Sequence, residues 1–121
     1  MHRPGVGRLL RDLSAREIGN VRVISADAVE VLRDGLTPAS LDEVRLYFPD
    51  PWHKKRHNKR RIVQTPFVEL VASRLRPGGL FHLATDWEPY ALWMREVLDP
   101  SPLFVNTGGA PGRNVAWKQY K

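Results

Sequence analysis

The sequence predicts an α/β fold, a mostly parallel sheet with helices on its faces, and three observations carry this prediction. Short β-branched runs alternate with segments of helical apolar spacing, in the order helix, strand, helix, strand, helix, strand, helix. The 121 residues suffice for about one domain. The composition, 42% apolar and 26% charged, is that of a soluble globular protein. Alternation of this kind favours parallel strands joined by right-handed crossovers.

The first half of the chain contains two predicted helices and two predicted strands. Apolar residues at helical spacing predict a helix over residues 4–18, which a Gly-Asn pair ends. A β-branched run predicts a strand over residues 21–24. Asp27, followed three residues later by a glutamate, has the pattern of a capping box and opens a short helix over residues 27–33. A run of large and β-branched residues predicts a strand over residues 44–48, which stops at the proline that follows.

The second half repeats this alternation. Thr65, directly before a proline, predicts the N-cap of a helix over residues 65–75. The Arg-Pro-Gly-Gly sequence at residues 76–79 predicts a tight turn, and the run over residues 80–84 predicts a third strand. The Thr-Asp-Trp-Glu sequence that follows again has the pattern of a capping box, with Asp86 as its first acid, and opens the fourth helix.

The last residues lose this periodicity. We expect residues 1–100 to form the folded unit and residues 101–121 an irregular tail, with one short strand at residues 103–105. The glycine-rich run at residues 108–112 and the basic end of the chain predict disorder or a missing continuation of the fold.

The composition also excludes several classes of function. The sequence has no cysteine, so disulfides, thiol catalysis and cysteine zinc sites are excluded. No apolar run approaches the roughly twenty residues that a membrane span needs, and the N-terminus lacks the apolar core of a signal peptide. These features favour a cytoplasmic protein without a membrane partner. His53 and His57 lie in a cationic run that opposes a divalent cation, so no metal site is expected.

The formal net charge of +6 is concentrated in one segment. Residues 54–61 contain six of the nineteen Lys and Arg, and the other thirteen are balanced by thirteen Asp and Glu. Such a cluster repels itself unless a polyanion binds it, and a phosphate backbone is the commonest polyanion in a cell. A solvated face or a localisation-type patch is the alternative interpretation. Ahead of the cluster stands Asp50, between two prolines that restrict the backbone.

Three acidic residues closely follow predicted strands: Asp27, Asp50 and Asp86. In a parallel sheet, ligands bind beyond the carboxyl ends of the strands, and neighbouring strands bring these ends to the same edge. We therefore expect the three carboxylates to lie at one edge of the sheet. Taken singly, Asp27 and Asp86 are also explained as helix N-caps. An Asp-Pro turn explains Asp50 as a residue type, but not its place between a strand and six cations.

Three motifs carry a resemblance to a known family. They are Phe-Pro-Asp-Pro-Trp-His-Lys-Lys-Arg-His-Asn-Lys-Arg-Arg at residues 48–61, Leu-Arg-Pro-Gly-Gly at 75–79 and Ala-Thr-Asp-Trp-Glu-Pro-Tyr at 84–90. Over residues 2–98 the chain resembles the bacterial tRNA (guanine-N7-)-methyltransferases, which methylate a guanosine in the tRNA variable loop with S-adenosylmethionine. The resemblance implies a class I, Rossmann-like methyltransferase fold, of which residues 1–100 would be the catalytic and C-terminal part.

The resemblance also implies roles for individual residues. Asp27 resembles the acid that contacts the cofactor near its adenine. Asp50 resembles the active-site acid beside the methionine end, a catalytic and cofactor-binding position. Lys54 and Asp86 resemble substrate-binding positions. The RNA-contacting loop of the family corresponds to Arg56, His57, Asn58, Lys59, Arg60 and Arg61. The implied ligands are S-adenosylmethionine as methyl donor and tRNA, without a metal, and the protein is expected to be a monomer or a weak homodimer.

The expected chemistry fits these residue types. N7 of guanine carries an in-plane lone pair and needs no deprotonation before it attacks a methyl sulfonium, so alignment and electrostatics are the main tasks. A carboxylate that accepts from guanine N1–H and N2–H would identify the base, and Asp86 and Asp50 are both candidates. The Lys and Arg side chains would contact phosphates, and Trp52 could offer a stacking surface.

The sequence departs from the family pattern at both ends. Family members carry, ahead of the matched region, a strand, a glycine-rich cofactor loop and a second strand that ends in an acid, which this sequence lacks. Residues 106–121 have no convincing match to the family's C-terminal Thr and Glu substrate contacts. We therefore expect a truncated gene product, a misassigned start or a fragment, with weak or no cofactor binding by the isolated chain. Two alternatives are a non-catalytic RNA-binding remnant and a different nucleotide-dependent α/β enzyme such as a dehydrogenase.

Overall fold

The computed structural model describes residues 3–107 and 114–119. A π-helical turn, Val31–Gly35, continues the short helix Ala28–Glu30, and a 3₁₀-helix, Lys55–Arg60, lies in the segment between the strand Leu41–Tyr47 and the helix Thr65–Arg74. The principal elements are, in chain order, α1 (Arg3–Ala15), α2 (Ala28–Glu30), β1 (Leu41–Tyr47), α3 (Thr65–Arg74), β2 (Leu75–Ala84), α4 (Glu88–Leu98), β3 (Phe104–Asn106) and β4 (Asn114–Gln119).

The four strands form one sheet in the order β1-β2-β4-β3. β1 and β2 are parallel, with Val44 opposite Phe81 and Tyr47 opposite Ala84. The crossover between them contains α3, as expected for a parallel pair. β4 runs antiparallel to both β2 and β3. The α/β class with a parallel pair and flanking helices is confirmed, and in the described part of the chain the sheet is mixed.

The predicted strand at residues 21–24 is wrong. These residues belong to no helix or strand, and the side chains of Val21 and Ile24 are 43% and 59% exposed. β-Branched residues favour a pleated conformation, but a strand also needs a partner for its backbone hydrogen bonds. Within residues 3–107 and 114–119, β1 is an edge strand and the segment at 21–24 pairs with no neighbour.

Helix α1 ends three residues earlier than the predicted boundary. Glu17 has a φ of 54°, in the left-handed region that commonly closes a helix. The Ile18 N–H then donates to the Leu13 carbonyl at 3.0 Å, a bond typical of such an end. The predicted helix is therefore confirmed, with a C-terminus at Ala15.

Residues 76–79 form a bulge inside β2 and not the predicted turn. Leu41 lies opposite Leu75, whereas Glu43 lies opposite Leu80, so the residues between Leu75 and Leu80 are excluded from the regular ladder. Gly78 adopts a φ of 80°. A Cβ on Gly79 would lie 2.9 Å from the Arg76 carbonyl oxygen, which explains why the bulge contains adjacent glycines.

Helix α3 begins as predicted, but its N-cap is Gln64 and not Thr65. Thr65 is the first helical residue, with Pro66 in the first turn. The Gln64 side chain makes no capping bond. Its amide instead donates to the carbonyls of Lys59 at 2.6 Å and Arg61 at 2.8 Å, and so it joins the helix start to the preceding loop.

Two short strands lie in the region that was predicted to be an irregular tail. β3 confirms the short strand expected near residue 103, displaced by one residue. The expectation of disorder is wrong for β4, which pairs with β2 and β3. The glycine-rich run at residues 108–112 lies outside the described residues.

The hydrophobic core lies between one face of the sheet and helices α3 and α4. The rings of Phe67, Phe81 and Phe104 follow one another through it, with centroid separations of 6.3 and 5.8 Å. The largest fully buried side chains of the described residues include Leu75, Phe81 and Leu83 from β2, Val68 and Val71 from α3, and Tyr90, Met94 and Leu98 from α4. This packing holds α4 and the carboxyl end of β2 in a fixed relation.

Candidate active site

Asp50 lies in a loop that turns sharply after β1. Phe48 and Trp52 have φ angles of 52° and 46°, in the left-handed region that aromatic residues rarely adopt. One Asp50 carboxylate oxygen accepts a hydrogen bond from the Trp52 N–H at 3.0 Å. Each strained backbone conformation costs on the order of 1–3 kcal/mol and persists only where the surroundings enforce it, as at many active sites. The loop therefore holds the exposed Asp50 in a defined place.

Asp50 and Asp86 lie at the same edge of the sheet. The Phe48 N–H donates to the Ala84 carbonyl at 2.8 Å, so the pairing of the two parallel strands continues to this point. Asp50 follows Phe48 by two residues, and Asp86 follows Ala84 by two residues. Both acids are exposed. The structure thus brings together two of the three acids that the sequence places after strands.

Asp86 is not a helix cap. The N-cap position of α4 is Trp87, which makes no side-chain capping bond. The buried Thr85 hydroxyl accepts a hydrogen bond from the Trp87 N–H at 3.3 Å, and this turn leads into the helix. The capping interpretation of Asp86 is therefore wrong. Its exposed carboxylate forms no hydrogen bond or ion pair with the residues that the structure describes.

Asp27 caps α2, as one of the two interpretations of this residue predicted. Its carboxylate accepts from the Val29 N–H at 2.8 Å. Because the strand expected before it is not formed, Asp27 does not lie at a strand end. Val29 lines a groove of about 330 Å³ together with Ile62, which lies just before α3, and Pro66, which lies in the first turn of α3. The helix that Asp27 caps, α2, thus borders the segment that joins the cationic loop to α3.

The cationic loop, residues 54–61, folds over most of its length as the 3₁₀-helix. The His57 N–H donates to the Lys54 carbonyl at 2.8 Å. None of the loop's exposed cations pairs with a carboxylate of the described residues. These exposed cations are Lys54, Lys55, Arg56, Lys59 and Arg60. Their charge is therefore available to a polyanion.

Trp52 organises two side chains of the cationic loop. The Arg60 guanidinium lies 5.2 Å from the centre of the Trp52 ring, and the His57 ring meets it edge-on at 5.9 Å. His57 and Asn58 are half-buried, whereas Arg60 is exposed. A cation over an aromatic face is attracted by the ring quadrupole. The indole thus contacts both the exposed Arg60 and the half-buried His57.

Arg61 differs from its neighbours because it is buried, with 4% of its surface exposed. Its Nε–H donates to the Pro51 carbonyl at 2.7 Å. Its guanidinium carbon lies 4.9 to 5.4 Å from the ring centres of Trp87, Tyr90 and Trp93. The assignment of Arg61 to the RNA-contacting set does not fit this placement, because a buried guanidinium cannot reach a phosphate in solvent.

Further contacts join the residues on either side of the cationic loop, His53 and Val63, to Trp87 and α4. The rings of His53 and Trp87 lie 4.1 Å apart. The Trp93 indole N–H donates to the Val63 carbonyl at 2.6 Å, and the Val63 N–H donates to the Tyr90 hydroxyl at 3.4 Å. Sequence reasoning placed Tyr90 on an apolar helix face and missed this polar role. The closely spaced aromatic residues just after Asp86 were the available signal.

The pKa of the Tyr90 hydroxyl is affected by two charged residues of the neighbouring loops, Arg61 and Asp50. Burial raises the pKa of Tyr90, against opposing contributions from the Val63 N–H and the Arg61 cation. The Asp50 carboxylate adds to the rise in the pKa of Tyr90. The Asp50 and Arg61 side chains are therefore both within electrostatic range of one phenol.

Two classes of feature are not found among residues 3–107 and 114–119. No helix there is long and apolar enough to span a bilayer. No group of three or more His, Cys, Asp or Glu side chains in this part of the chain is arranged to hold a metal ion.

Comparison with known proteins identifies the class of protein. A family model with the description "Putative methyltransferase" matches residues 1–114, and the chain belongs to this methyltransferase family. The partial Rossmann-like methyltransferase fold expected from the sequence is thereby confirmed.

Curated relatives carry a more particular name, tRNA (guanine-N(7)-)-methyltransferase. The chain is 59% identical over 110 residues to the protein from Thiobacillus denitrificans, 58% over 113 to that from Dechloromonas aromatica and 60% over 110 to that from Cupriavidus pinatubonensis. These matches cover 91%, 92% and 91% of this chain, but 48%, 46% and 43% of the relatives. The family resemblance seen in the motifs is confirmed, and the chain spans about half the length of these relatives.

Proposed function

We propose that the chain provides the catalytic edge and the RNA-contacting loop for methyl transfer from S-adenosylmethionine to N7 of a guanosine in the tRNA variable loop. One observation carries the proposal. An exposed acid, Asp50, is held in a strained loop beside a cationic loop whose exposed charges pair with no carboxylate of residues 3–107 and 114–119. The name shared by the curated relatives supports the same reaction.

The acids of the chain fit the chemistry of the methyl donor. When bound, S-adenosylmethionine supplies an electrophilic methyl group on a sulfonium cation. Exposed carboxylates attract such a cation and accept hydrogen bonds from hydroxyl and ammonium groups. We assign Asp50 to the methionine end of the donor and Asp27 to the end near the adenine. The second carboxylate oxygen of Asp27 is available for this contact, because only one oxygen accepts from Val29.

Asp86 is the better candidate for recognition of the guanine base. One oxygen of Asp50 already accepts from the Trp52 N–H, whereas the Asp86 carboxylate has no partner in the described part of the chain. A carboxylate with both oxygens available can accept from guanine N1–H and N2–H together. These bonds would hold the base in place and favour the positive charge that forms on the purine. No proton has to move before N7 attacks, so the residues act by position and charge.

The exposed cations of the cationic loop would hold the tRNA through its phosphates. Contacts of this kind fix the position of a nucleic acid without reading its sequence. Lys54, at the start of the 3₁₀-helix and four residues after Asp50, would contact the substrate nearest the reacting base. Trp52 contacts both Arg60 and His57, and so it would hold these two side chains in place for phosphate contact.

The experiment compares two tRNAs that differ only at the reacting atom. The chain is incubated with saturating S-adenosylmethionine and either ordinary tRNA or tRNA joined from synthetic fragments, in which 7-deazaguanosine, with a carbon in place of N7, replaces only the target guanosine of the variable loop. We expect mass spectrometry of the nucleosides to find 7-methylguanosine only in the ordinary tRNA, although both tRNAs bind equally. Binding without transfer to either tRNA would overturn the proposed reaction and support an RNA-binding remnant. A methyl group on the 7-deaza tRNA would place the reaction at another atom.

A further inference from the structure

Arg61 is a buried cation to which the proposed function assigns no role. All six Lys and Arg of the cationic loop are described, and Arg61 alone among them is buried. It forms no ion pair with any carboxylate in the described part of the chain. An unpaired buried charge is strongly unfavourable unless other groups compensate it. A buried guanidinium beside the Asp50 loop therefore indicates a specific role for Arg61.

The contacts of Arg61 reach the neighbours of both acids at the sheet edge. Pro51, whose carbonyl accepts from the Arg61 Nε–H at 2.7 Å, is the residue after Asp50. Trp87, whose ring centre lies 5.4 Å from the guanidinium carbon, is the residue after Asp86. One side chain thus links the two loops that follow β1 and β2. The rings of Tyr90 and Trp93 fix the same guanidinium against α4.

We propose that Arg61 is a positioning residue: its buried guanidinium ties the Asp50 loop to the start of α4 and so sets the relation between Asp50 and Asp86. This inference rests on the proposed function, because it concerns the geometry of the same site. Arg61 touches neither the methyl donor nor the tRNA. It acts through Pro51 and Trp87, and the strained backbone at Trp52 is held in part by this link.

Arg61 is surrounded by aromatic rings and not by a carboxylate, and this arrangement leaves Asp50 and Asp86 without an ion pair to Arg61. Ring faces and a carbonyl oxygen stabilise the cation without forming an ion pair with it. Had Arg61 paired directly with Asp50, the acid would lose its capacity to attract a sulfonium or a purine cation. The observed arrangement anchors the loop and leaves both carboxylates available. The Arg61 Nε–H is bonded to the Pro51 carbonyl, and Arg61 forms no ion pair with Asp50.

The test measures the order of the Asp50 loop in the full chain by NMR relaxation. In the wild-type protein we expect order parameters near 0.85 for the Asp50 and Trp52 amides, which is typical of rigid backbone. Arg61→Met keeps an apolar chain of similar length but loses the charge and the bond to Pro51. We expect the order parameters of both amides to fall below about 0.6, while Val71 in the core of α3 stays rigid.

The matched control is Arg74→Met. The Arg74 Nε–H donates to the Leu32 carbonyl at 2.6 Å, so this variant also loses a bond from a partly buried arginine to the backbone. Arg74 contacts neither acid loop, and we expect its replacement to lower thermal stability without changing the order at Asp50. Unchanged order at Asp50 in a folded Arg61→Met protein would overturn the proposal. An equal loss of order in both variants would also overturn it, because it would indicate general destabilisation.

A second variant covers the case in which Arg61→Met does not fold. Arg61→Lys keeps a positive charge among the rings but lacks the planar Nε–H that reaches Pro51. The same loss of order at Asp50 is expected, and a rigid Asp50 loop in Arg61→Lys would refute the proposed link.

An activity measurement separates this proposal from the proposed function. With tRNA and saturating methyl donor, we expect Arg61→Lys to lower kcat about 100-fold while the Kd for tRNA stays unchanged, because a displacement near 1 Å can have this effect. An unaltered kcat with a mobile Asp50 loop would refute the importance of the link for the reaction. If the wild-type chain transfers no methyl group, the proposed function fails, whereas the relaxation data still test the mechanical link.

Discussion

Removing the charge of Arg60 is predicted to change the salt dependence of tRNA binding, whereas removing the charge of the adjacent Arg61 is not. The two residues look equivalent in the sequence. In the structure, Arg60 is exposed beside Trp52, and Arg61 is buried among three aromatic rings. Only an exposed cation can displace counterions from a phosphate backbone. The paired variants are Arg60→Met and Arg61→Met, which remove the same charge from neighbouring positions.

The expected salt dependence of tRNA binding follows from the number of exposed cations in the loop. Five contacts to phosphate, at a slope of about −0.7 to −0.9 each, predict a slope of log K against log salt of about −3.5 to −4.5. Raising monovalent salt from about 50 to 200 mM then weakens binding roughly 130- to 500-fold. With Arg60→Met the slope becomes shallower by about 0.7 to 0.9, and the same salt change weakens binding roughly 50- to 150-fold.

The assay is fluorescence anisotropy of labelled tRNA, titrated with protein at a series of salt concentrations. The wild-type and Arg61→Met proteins are expected to give coincident lines, because all five exposed cations of the loop are unchanged in this variant. The Arg60→Met line is expected to be less steep. Equal slopes for Arg60→Met and wild type would refute the phosphate contact assigned to Arg60. A flattened slope for Arg61→Met would show that this cation reaches the tRNA and is not held in the interior.

Two further predictions concern the glycine bulge in β2 and the stability of the protein at alkaline pH. Gly79→Ala should lower the free energy of unfolding by about 1–3 kcal/mol, because the new Cβ would lie 2.9 Å from the Arg76 carbonyl oxygen. Gly19→Ala is the control, with nothing within 4 Å of its Cβ, and equal urea midpoints for the two variants would contradict the close approach. Burial raises the pKa of Tyr90 in the folded protein above the ordinary value of 10.0. The neutral phenol therefore stabilises the fold fully below pH 10.0, and this stabilisation is lost as the pH rises through the higher pKa of the folded state. Tyr90→Phe should remove this part of the alkaline loss of stability in urea unfolding, and an unchanged pH profile would count against it.

The elements with strong local patterns were predictable from the sequence, and those that depend on distant partners were not. The helix at Thr65–Arg74 follows from its apolar spacing and its proline. β4 was missed because its strand character depends on pairing with residues 80–84 and 104–106, which periodicity in its own segment does not reveal. Conversely, residues 21–24 have β-branched side chains but no neighbouring strand in the described structure, and so they remain outside the sheet.

The same distinction applies to the candidate site. The motif around Asp50 and the concentration of charge after it were sufficient to indicate the acid and the cationic loop. Charge patterning could not separate Arg60 from Arg61, because both are arginines in one basic run. What separates them is Trp93, which the fold brings within 4.9 Å of Arg61 from a helix that begins 27 residues later. Burial of a single cation is a tertiary property, and it had no local signal in the basic run.

The most direct test of the account is methyl transfer to tRNA by Asp50→Ala, measured in a single turnover with saturating S-adenosylmethionine beside a parallel measurement of tRNA binding. The exposed cations of the loop are unchanged in this variant, and the carboxylate that favours the developing positive charge is lost. We predict that methyl transfer is abolished and that tRNA retention survives. Transfer at the wild-type rate by Asp50→Ala would contradict the assignment of the catalytic edge.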